Sequence, residues 1–368
     1  MIKVLLYPLS WLYGMVIWFR NRAFDLNILK STEFELPVIS LGNITVGGTG
    51  KTPHVEYLVD LLSRKFIVAT LSRGYKRKTN GFYYVEQNAT VAEVGDEPLQ
   101  IKSKFPEVTV SVCENRVKGV EKLLLAENGK IPDVILLDDA FQHRKIIPGL
   151  NILLIDYNRQ IKEDKLLPLG RLREGVSQMR RANIIIFTKC PKEVTPIMRR
   201  VLQLDVGLRP YQKLYFTVLD YQKLEPVFSA KKLGEDFYND KTYSAIVVTG
   251  VASPKLIHRY LEKLTERIEP VIFRDHHNFS KEDIVLIMKK YDELFSGKKI
   301  IITTEKDAIR LREMEDLPEK FKNVLYSLPV KVQFLEGDGK SFDNNILNYV
   351  EENKSNFELH KRKGKVNA

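Results

Sequence analysis

A glycine-rich loop leading into Gly-Lys-Thr is the first feature of this sequence whose residue types could do chemistry. Residues 42–52 read GNITVGGTGKT; an apolar run at 38–41 precedes them, and apolar residues at helical spacing follow. Strand, glycine loop, Gly-Lys-Thr and helix is the order of a phosphate-binding loop, in which backbone N–H groups and the lysine hold phosphates and the threonine hydroxyl binds Mg²⁺. We therefore predict a nucleotide-binding set that includes a catalytic lysine: Thr45, Val46, Gly47, Gly48, Thr49, Gly50, Lys51 and Thr52.

One position of this loop departs from the strict pattern. Glycine is expected where this chain has Thr45. The loop must therefore turn differently at its start, with Gly42 or Gly47 supplying the flexibility. A glycine-rich turn unrelated to phosphate is the alternative interpretation.

Two aspartates follow the next strongly apolar run. Residues 132–139 read PDVILLDD, so Asp138 and Asp139 fall at the carboxyl end of a predicted parallel strand. Carboxylates at that edge can hold Mg²⁺ directly or through water, and solvated acids in a strand-end turn are the alternative. Neither Lys189 nor Lys306 has an aspartate at the spacing that guanine recognition needs, so we expect ATP and Mg²⁺ rather than GTP.

Two further loops carry charged residues. Arg73 follows an apolar run at 67–71, in a basic loop that either binds phosphate or lipid head groups or is a solvated connection. Asp96 and Glu97 lie in a loop bounded by glycine and proline. A carboxylate there could orient or deprotonate an attacking hydroxyl, whereas the alternative for Asp96 is a helix N-cap.

The remaining candidates flank these motifs. His143 comes soon after the paired aspartates and lies near the metal if the strand prediction holds; otherwise it is structural. Arg173 could neutralise phosphate and Glu174 could contact Mg²⁺, unless the two form a surface ion pair. In a second region of the chain, Asp275 and His276 form a pair that can tune a general base, with solvated loop residues as the alternative.

The elements that must position these residues alternate between strand-like and helix-like patterns. Such alternation predicts an α/β protein with a mostly parallel sheet. Predicted strands of the first region are 38–41, 67–71 and 152–156; 214–218 and 226–228 look like ribbon strands; those of the second region are 245–248, 270–273, 300–303 and 324–328.

The N-terminus is apolar and aromatic. Residues 4–19 are too short for the ~20 residues that span a bilayer, and no secretory cleavage site follows. Trp11 and Trp18 are of the type found at membrane interfaces, and Arg20 could face anionic head groups. We predict an interfacial helix on the cytoplasmic face of a membrane; a helix packed on the domain and a short true span are the alternatives.

Composition limits the remaining classes of protein. Hydrophobic residues make up 44% of the 368 residues, which excludes a mostly disordered chain, and two cysteines exclude a disulfide scaffold. A net charge of +11 favours anionic partners such as a membrane or a phosphorylated substrate. Nucleic acid is not expected, because the aromatic residues are not interleaved with basic ones on surface strands. We expect a monomer.

Together, the motifs resemble the tetraacyldisaccharide 4'-kinase family of Gram-negative bacteria. The resemblance runs in order from residue 38 to about 310, and Thr45 belongs to the family pattern. Departures are mild: Ala140 stands where glycine is common, and Gly175 where proline is. The segments that carry the resemblance are Gly42–Pro53, Leu71–Tyr75, Val94–Pro98, Asp138–His143, Leu167–Glu174, Thr249–Pro254, Asp275–His277 and Thr304–Asp307.

The resemblance implies a membrane-associated kinase of lipid A biosynthesis. It would use ATP and Mg²⁺ to phosphorylate the 4'-hydroxyl of a tetraacyldisaccharide 1-phosphate, giving lipid IV-A, at the inner membrane. Asp96 would be the catalytic base, assisted by His276, with Lys51 and Thr52 on the phosphates. Metal candidates are Thr52, Asp138, Asp139 and Glu174; candidates for substrate contact or support are Arg73, Glu97, His143, Arg173 and Asp275.

The resemblance also implies two α/β/α domains, with catalysis in the cleft between them. The expected fold is P-loop NTPase-like, with a mostly parallel sheet and a second, smaller α/β domain joined by a β-ribbon linker. The predicted segments are a membrane helix (1–30), a P-loop kinase domain (31–212), the linker (213–240), the smaller domain (241–345) and a C-terminal helix with a basic tail (346–368). A P-loop kinase or ATPase acting on a soluble substrate is the alternative function.

Overall fold

The structure is a computed structural model that describes residues 2–126, 129–159, 161–228, 231–251 and 253–366. The chain divides into two compact units. The first comprises Met1–Val94, Ile101–Leu219 and Val332–Ala368, and the second comprises Gly95–Gln100 and Asp220–Lys331. Ala252, which belongs to one of the family-like segments, and Ala368, at the end of the predicted basic tail, lie outside the described residues.

The first unit contains most of the helices and strands. In its first stretch, which ends at Val94, the described elements are α1 (Ile2–Asp25), β1 (Thr32–Glu33), β2 (Val38–Gly42), α2 (Lys51–Ser63), β3 (Val68–Ser72), β4 (Tyr83–Tyr84) and α3 (Val91–Val94). Helix α4 (Asp96–Lys104) begins in the second unit and ends in the first. The first unit then continues with β5 (Thr109–Val112), α5 (Arg116–Leu124), β6 (Val134–Asp138), β7 (Ile146–Ile147), β8 (Leu150–Asp156), a 3-10 helix (Val176–Arg181), β9 (Ile184–Thr188), α6 (Pro196–Asp205) and β10 (Lys213–Tyr221).

The second unit is a smaller α/β unit. Its described elements are β11 (Glu225–Pro226), α7 (Glu235–Asn239), β12 (Tyr243–Thr249), α8 (Lys255–Leu261), β13 (Arg267–Ile272), α9 (Lys281–Glu293), β14 (Lys298–Thr304), α10 (Glu305–Arg312), α11 (Glu319–Val324) and β15 (Leu325–Leu328). The chain ends with β16 (Val330–Phe334) and α12 (Asp338–Val366).

The two large sheets are mostly parallel, which confirms the predicted fold class; β1 and β7 form a separate parallel pair. Within the described residues, the larger sheet has the order β16-β10-β9-β8-β2-β6-β3-β5-β4, and the smaller has the order β11-β15-β14-β12-β13. From β10 to β5 every pair of neighbouring strands is parallel, and β4 pairs antiparallel with β5. Strands β2, β3, β6 and β9 are buried along their whole length, as expected for strands covered on both faces.

This topology explains why the candidate residues of the first unit meet. Strands β2 and β6 are parallel neighbours that pair Leu41 with Asp138. The glycine loop leaves the end of β2, and the aspartates leave the end of β6. Parallel neighbours end at the same edge of the sheet, so sequence-distant loops converge there.

Several predicted bounds differ from the structure. The predicted linker strand at 214–218 lies in β10, which pairs in parallel with β9 of the larger sheet. Pro226 pairs instead with Tyr326 of the smaller sheet. The last helix begins at Asp338, before the predicted 346, and its Phe342 and Val350 are buried. These bounds depend on contacts between residues that are distant in sequence, and the local sequence pattern does not indicate such contacts.

Candidate active site

The loop between β2 and α2 has the backbone that a phosphate site needs. Gly47 and Gly50 have φ of +97° and +82°, a region that side chains disfavour. Helix α2 begins directly afterwards at Lys51 and is 13 residues long. Its first turn therefore presents N–H groups and a partial positive charge beside the lysine, which favours an anion.

Hydrogen bonds from three directions hold this loop in shape. The Asn43 amide donates to Oγ1 of Thr49 at 2.7 Å, and the Thr188 hydroxyl donates to the Thr49 carbonyl at 2.8 Å. The Val46 N–H donates to the Arg171 carbonyl at 2.8 Å. Thr45, where the strict pattern has glycine, forms an antiparallel bridge with Leu172. The substitution is accommodated because this part of the loop pairs with a neighbouring segment.

A buried histidine supports the first turn of α2. His54 lies 2.7 Å from the Gly50 carbonyl through Nδ1 and 3.0 Å from Oγ1 of Thr217 through Nε2. Burial lowers the pKa of this imidazole to about 4, so the ring is neutral at pH 7. A neutral ring with Nδ1 protonated donates to the carbonyl and accepts from the threonine.

Lys51 meets the paired aspartates through Asp139. Its Nζ is 3.6 Å from Oδ1 of Asp139, and Nη1 of Arg173 lies 3.0 Å from the same oxygen. Asp139 has φ of +47°, a left-handed conformation that turns the chain sharply after β6. The structure thus brings together three residues that the sequence analysis proposed separately.

Asp138 is buried and lies beside a buried arginine. Nη2 of Arg116 donates to the Asp138 carbonyl at 3.2 Å, and the Arg116 N–H donates to Nε2 of His143 at 3.3 Å. Burial lowers the pKa of the guanidinium to about 10, while the two aspartates oppose this shift. Arg73 is exposed beyond the end of β3, and its charge acts on both Arg116 and His143.

Glu174 is fully buried and is held from two sides. Its Oε2 accepts hydrogen bonds from Asn21 at 3.0 Å and from Arg181 at 2.7 Å. Its Oε1 is buried and has no hydrogen-bond partner in the described structure. An orphaned carboxylate oxygen of this kind fits a cation ligand, because a buried acceptor is costly to leave unsatisfied.

The donors in this region fit Mg²⁺ bound jointly with phosphate. Within the described part of the chain, no three or more His, Cys, Asp or Glu side chains form a ready metal cage. Mg²⁺ does not need such a cage, since it commonly takes one or two carboxylates together with phosphate oxygens and water. Thr52, Asp138, Asp139 and Glu174 therefore stay candidate ligands of the hard-oxygen type.

The second unit holds its own charged cluster around Asp96. Asp96 is the first residue of α4 and is buried; its Oδ2 lies 2.9 Å from Nδ1 of His276. His276 has φ of +57°, in the loop after β13. Arg310, on α10, forms an ion pair with the same oxygen. The helix-start interpretation of Asp96 and the carboxylate-site interpretation are both compatible with this position.

Lys306 joins the rest of this cluster. Its Nζ lies 3.0 Å from Oε1 of Glu97, 3.0 Å from Nε2 of His276, 3.7 Å from Asp96 and 4.0 Å from Asp275. The lysine is a donor only, so Nε2 accepts from it, and Nη2 of Arg310 lies 3.2 Å from Nδ1 of the same ring. Four predicted residues thus surround one lysine, although Asp96 and Glu97 were predicted within the first domain.

The base of α10 is fixed by a buried aspartate. Asp307 accepts the Gly250 N–H at 2.8 Å and the Thr304 hydroxyl at 2.7 Å, and lies 3.1 Å from Arg310. A Cβ on Gly250 would sit 2.9 Å from Asp307. Only glycine permits this close approach, which keeps Arg310 aimed at Asp96.

Sequence reasoning missed four residues of these clusters: Arg310, Arg116, Arg181 and Asn21. Arg310 had a local signal, because Lys306 and Arg310 are four apart on a helix that follows a parallel strand and so share a face. The others had none. Their roles depend on contacts between segments that are far apart in sequence.

Comparisons with known proteins all match one family. The model of the family described as "Tetraacyldisaccharide-1-P 4'-kinase" (LpxK) matches residues 2–351. The tetraacyldisaccharide 4'-kinase of Phocaeicola vulgatus is 48% identical over 351 residues, 95% of this chain and 96% of its own. That of Bacteroides thetaiotaomicron is 45% identical over 364 residues, 97% of this chain and 96% of its own.

A solved structure is similar along the whole chain. The crystal structure of LpxK from Aquifex aeolicus in complex with ATP has a TM-score of 0.71 and 30% sequence identity, and the match covers 95% of this chain and 99% of that one. With a family match over nearly all residues and relatives above 40% identity, this chain belongs to the tetraacyldisaccharide 4'-kinase family.

Proposed function

We propose that this protein transfers the γ-phosphate of ATP to the 4'-hydroxyl of a tetraacyldisaccharide 1-phosphate, giving lipid IV-A. In this step the acceptor oxygen forms a bond to the γ-phosphorus, the bond from phosphorus to the β,γ-bridging oxygen breaks, ADP leaves, and the hydroxyl proton passes by way of Asp96 to water. The observation that carries the proposal is the Lys51–Asp139–Arg173 group, with its 3.6 and 3.0 Å contacts, at the start of α2.

Each residue of this group has a distinct task. The loop N–H groups and Lys51 bind the β- and γ-phosphates, and Asp139 restrains both Lys51 and Arg173 through its ion pairs with them. Mg²⁺ would neutralise phosphate charge, and Thr52, Asp138, Asp139 and Glu174 are the residues that would hold it. Most of the acceleration then comes from positioning and charge stabilisation.

We assign Asp96 to the acceptor hydroxyl, with His276 as its orienting partner. The Asp96 carboxylate is buried, lies beside the cations of Arg310 and Lys306, and is 2.9 Å from Nδ1 of His276. In this position Asp96 can orient the hydroxyl and accept its proton. Glu97 and Asp275 hold Lys306 in place through their own contacts. Arg73, Arg116 and His143 are the candidate contacts for substrate phosphate.

The N-terminal helix suggests peripheral attachment to the cytoplasmic face of the inner membrane. One face of α1 exposes apolar side chains, among them Trp11 at 69%, Trp18 at 60% and Phe19 at 63%. Its opposite face contacts the first unit, since the Ser10 hydroxyl donates to the Leu166 carbonyl and the Tyr13 hydroxyl to the Arg173 carbonyl. Among the described helices, none is long and apolar enough to cross a bilayer. We further propose that the protein binds anionic lipids at this surface and that it is a monomer.

A transfer assay tests the proposed function. Protein would be incubated with γ-labelled ATP and purified tetraacyldisaccharide 1-phosphate in neutral detergent micelles, beside Lys51→Ala. Labelled lipid from the wild type, with a loss of about two or three orders of magnitude in the variant, is the expected result. No labelled lipid, but Lys51-dependent hydrolysis of ATP, would favour a P-loop enzyme with a soluble substrate.

A further inference from the structure

A basic cavity lies between the last turns of α1 and the loop that precedes β7. Its volume is about 440 Å³, and besides Leu29 its walls are formed by Arg20, Phe24, Lys30, His143, Arg144 and Lys145. All six belong to the first unit. Four of them carry a permanent positive charge at pH 7.

Most of this charge is not compensated. Arg144 is paired with Asp25 at 2.8 Å, and Arg20 donates to the Gln142 carbonyl at 2.7 Å. In the part of the chain that the structure describes, the ammonium groups of Lys30 and Lys145 have no hydrogen-bond or ion-pair partner. Two exposed cations therefore face the cavity beside Arg20 and Arg144, and Asp25, which pairs with Arg144, is also paired with Arg180.

The two arginines are held in place by an aromatic side chain. Phe24 is buried, with 6% exposure, and the guanidinium groups of Arg20 and Arg144 lie 5.6 and 5.2 Å from its ring centroid. Arg144 is also fixed by donating to the Asn21 carbonyl at 2.8 Å. Fixed guanidinium groups lose little conformational entropy when they bind an anion.

The pKa of His143 is affected by the same positive charges. Burial and the nearby charges of Arg116, Lys145 and Arg20 lower the pKa of its imidazole to about 4. The ring is therefore neutral, and its Nε2 already accepts from the Arg116 N–H. The cavity therefore has an excess of positive charge that a bound anion would neutralise.

We propose that this cavity binds a phosphate group carried on a lipid head group. The cavity lies at the end of the helix whose other face exposes Trp11 and Trp18, and exposed Leu26 and Ile28 follow it directly. Apolar surface next to a basic pocket matches a ligand with a phosphate and acyl chains. The phosphate can come from two sources, a bulk anionic phospholipid or the 1-phosphate of the substrate. The inference rests on the membrane attachment proposed above.

Single charge removals test the cavity. Lys30→Gln and Lys145→Gln remove cavity charges that hold nothing in the fold, and Arg22→Gln removes an exposed charge from the same helix outside the cavity. Sedimentation of the full-length protein with vesicles of phosphatidylcholine, alone or mixed with phosphatidylglycerol, measures bulk-lipid binding. The KM for lipid substrate in neutral micelles measures the second source.

The outcomes separate the alternatives. Loss of about fivefold in binding to the phosphatidylglycerol vesicles for the two lysine variants only, with KM unchanged, assigns the cavity to a bulk phospholipid. A KM increase of similar size for those two variants only, with unchanged vesicle binding, assigns it to the substrate phosphate. Equal effects of all three variants, or none, would overturn the proposal. Phosphate transfer by the wild type in micelles is tested separately, so a failure here leaves the kinase proposal standing.

Discussion

Asn21, on the N-terminal helix, donates a 3.0 Å hydrogen bond to Oε2 of Glu174, whose side chain is fully buried. The same helix also contacts the segment that leads to Glu174, through Ser10 and Tyr13. The helix with the exposed tryptophans is therefore part of the wall of the candidate active site. This contact gives α1 a role that a detachable anchor would not have.

Asn21→Ala should slow transfer without loosening membrane binding. Removing a hydrogen bond to a buried carboxylate costs about 1.5–3 kcal/mol, so we expect kcat to fall roughly ten- to a hundredfold with little change in the KM for ATP. Ser10→Ala is the matched control, because it removes a contact of the same helix face that does not reach Glu174. If both variants behave alike, Asn21 only secures the helix.

Arg310→Gln should impair transfer while nucleotide binding remains. Arg310 pairs with Asp96, whereas the glycine loop and Lys51 belong to the other unit. We expect single-turnover rates to fall by about a hundredfold, and binding of a fluorescent ATP analogue to stay within about twofold. Arg310→Lys should recover part of the rate by restoring the charge, and Arg259→Gln, an exposed arginine of the same unit, should have no effect. Loss of ATP binding in Arg310→Gln would contradict the assignment.

His54 should make the protein less stable in mild acid. Its pKa is about 4 in the folded state and 6.5 in the unfolded state, so only the unfolded chain takes up the proton between these values. Stability is therefore lost as pH falls from about 6.5 towards 4, and this residue should account for about 2 kcal/mol between pH 7 and 5. Urea unfolding at both pH values measures the loss. The His54→Gln variant should have a lower free energy of unfolding at pH 7 than the wild type, but this free energy should fall less between pH 7 and pH 5. If it falls by as much as in the wild type, His54 is not the cause of the acid sensitivity.

The exposed tryptophans of α1 should drive membrane partition. Replacing both Trp11 and Trp18 with serine removes apolar area from the exposed face, so vesicle binding should weaken by about a hundredfold or more. Activity on micellar substrate should stay within a few-fold, since neither side chain contacts Glu174. Flotation with neutral vesicles measures the first effect. Unchanged partition would indicate that this face does not enter the interface.

The local sequence pattern was sufficient to predict the positions of the residues that lie next to strand ends. The glycine loop, Asp138, Asp139 and the Asp275–His276 pair were predicted because their neighbours form apolar runs whose order fixes the edge on which they lie. The Asp138–Arg116 and Glu174–Asn21 contacts were not predicted. Each joins two segments that are distant in sequence, and neither segment has a local pattern that indicates the other. Asp96 shows the same limit: it was assigned to the first domain by continuity, whereas its contacts with His276 and Arg310 group it with the second unit.

The position of the transferred phosphate tests the central claim most directly. Tetraacyldisaccharide 1-phosphate would be converted with ATP by the wild-type protein, and the lipid product would be analysed by phosphorus NMR with proton correlation. We expect one new phosphomonoester, coupled to the proton at the 4' position, and none with Lys51→Ala. A diphosphate at position 1, or ADP formed without any new lipid phosphate, would contradict it.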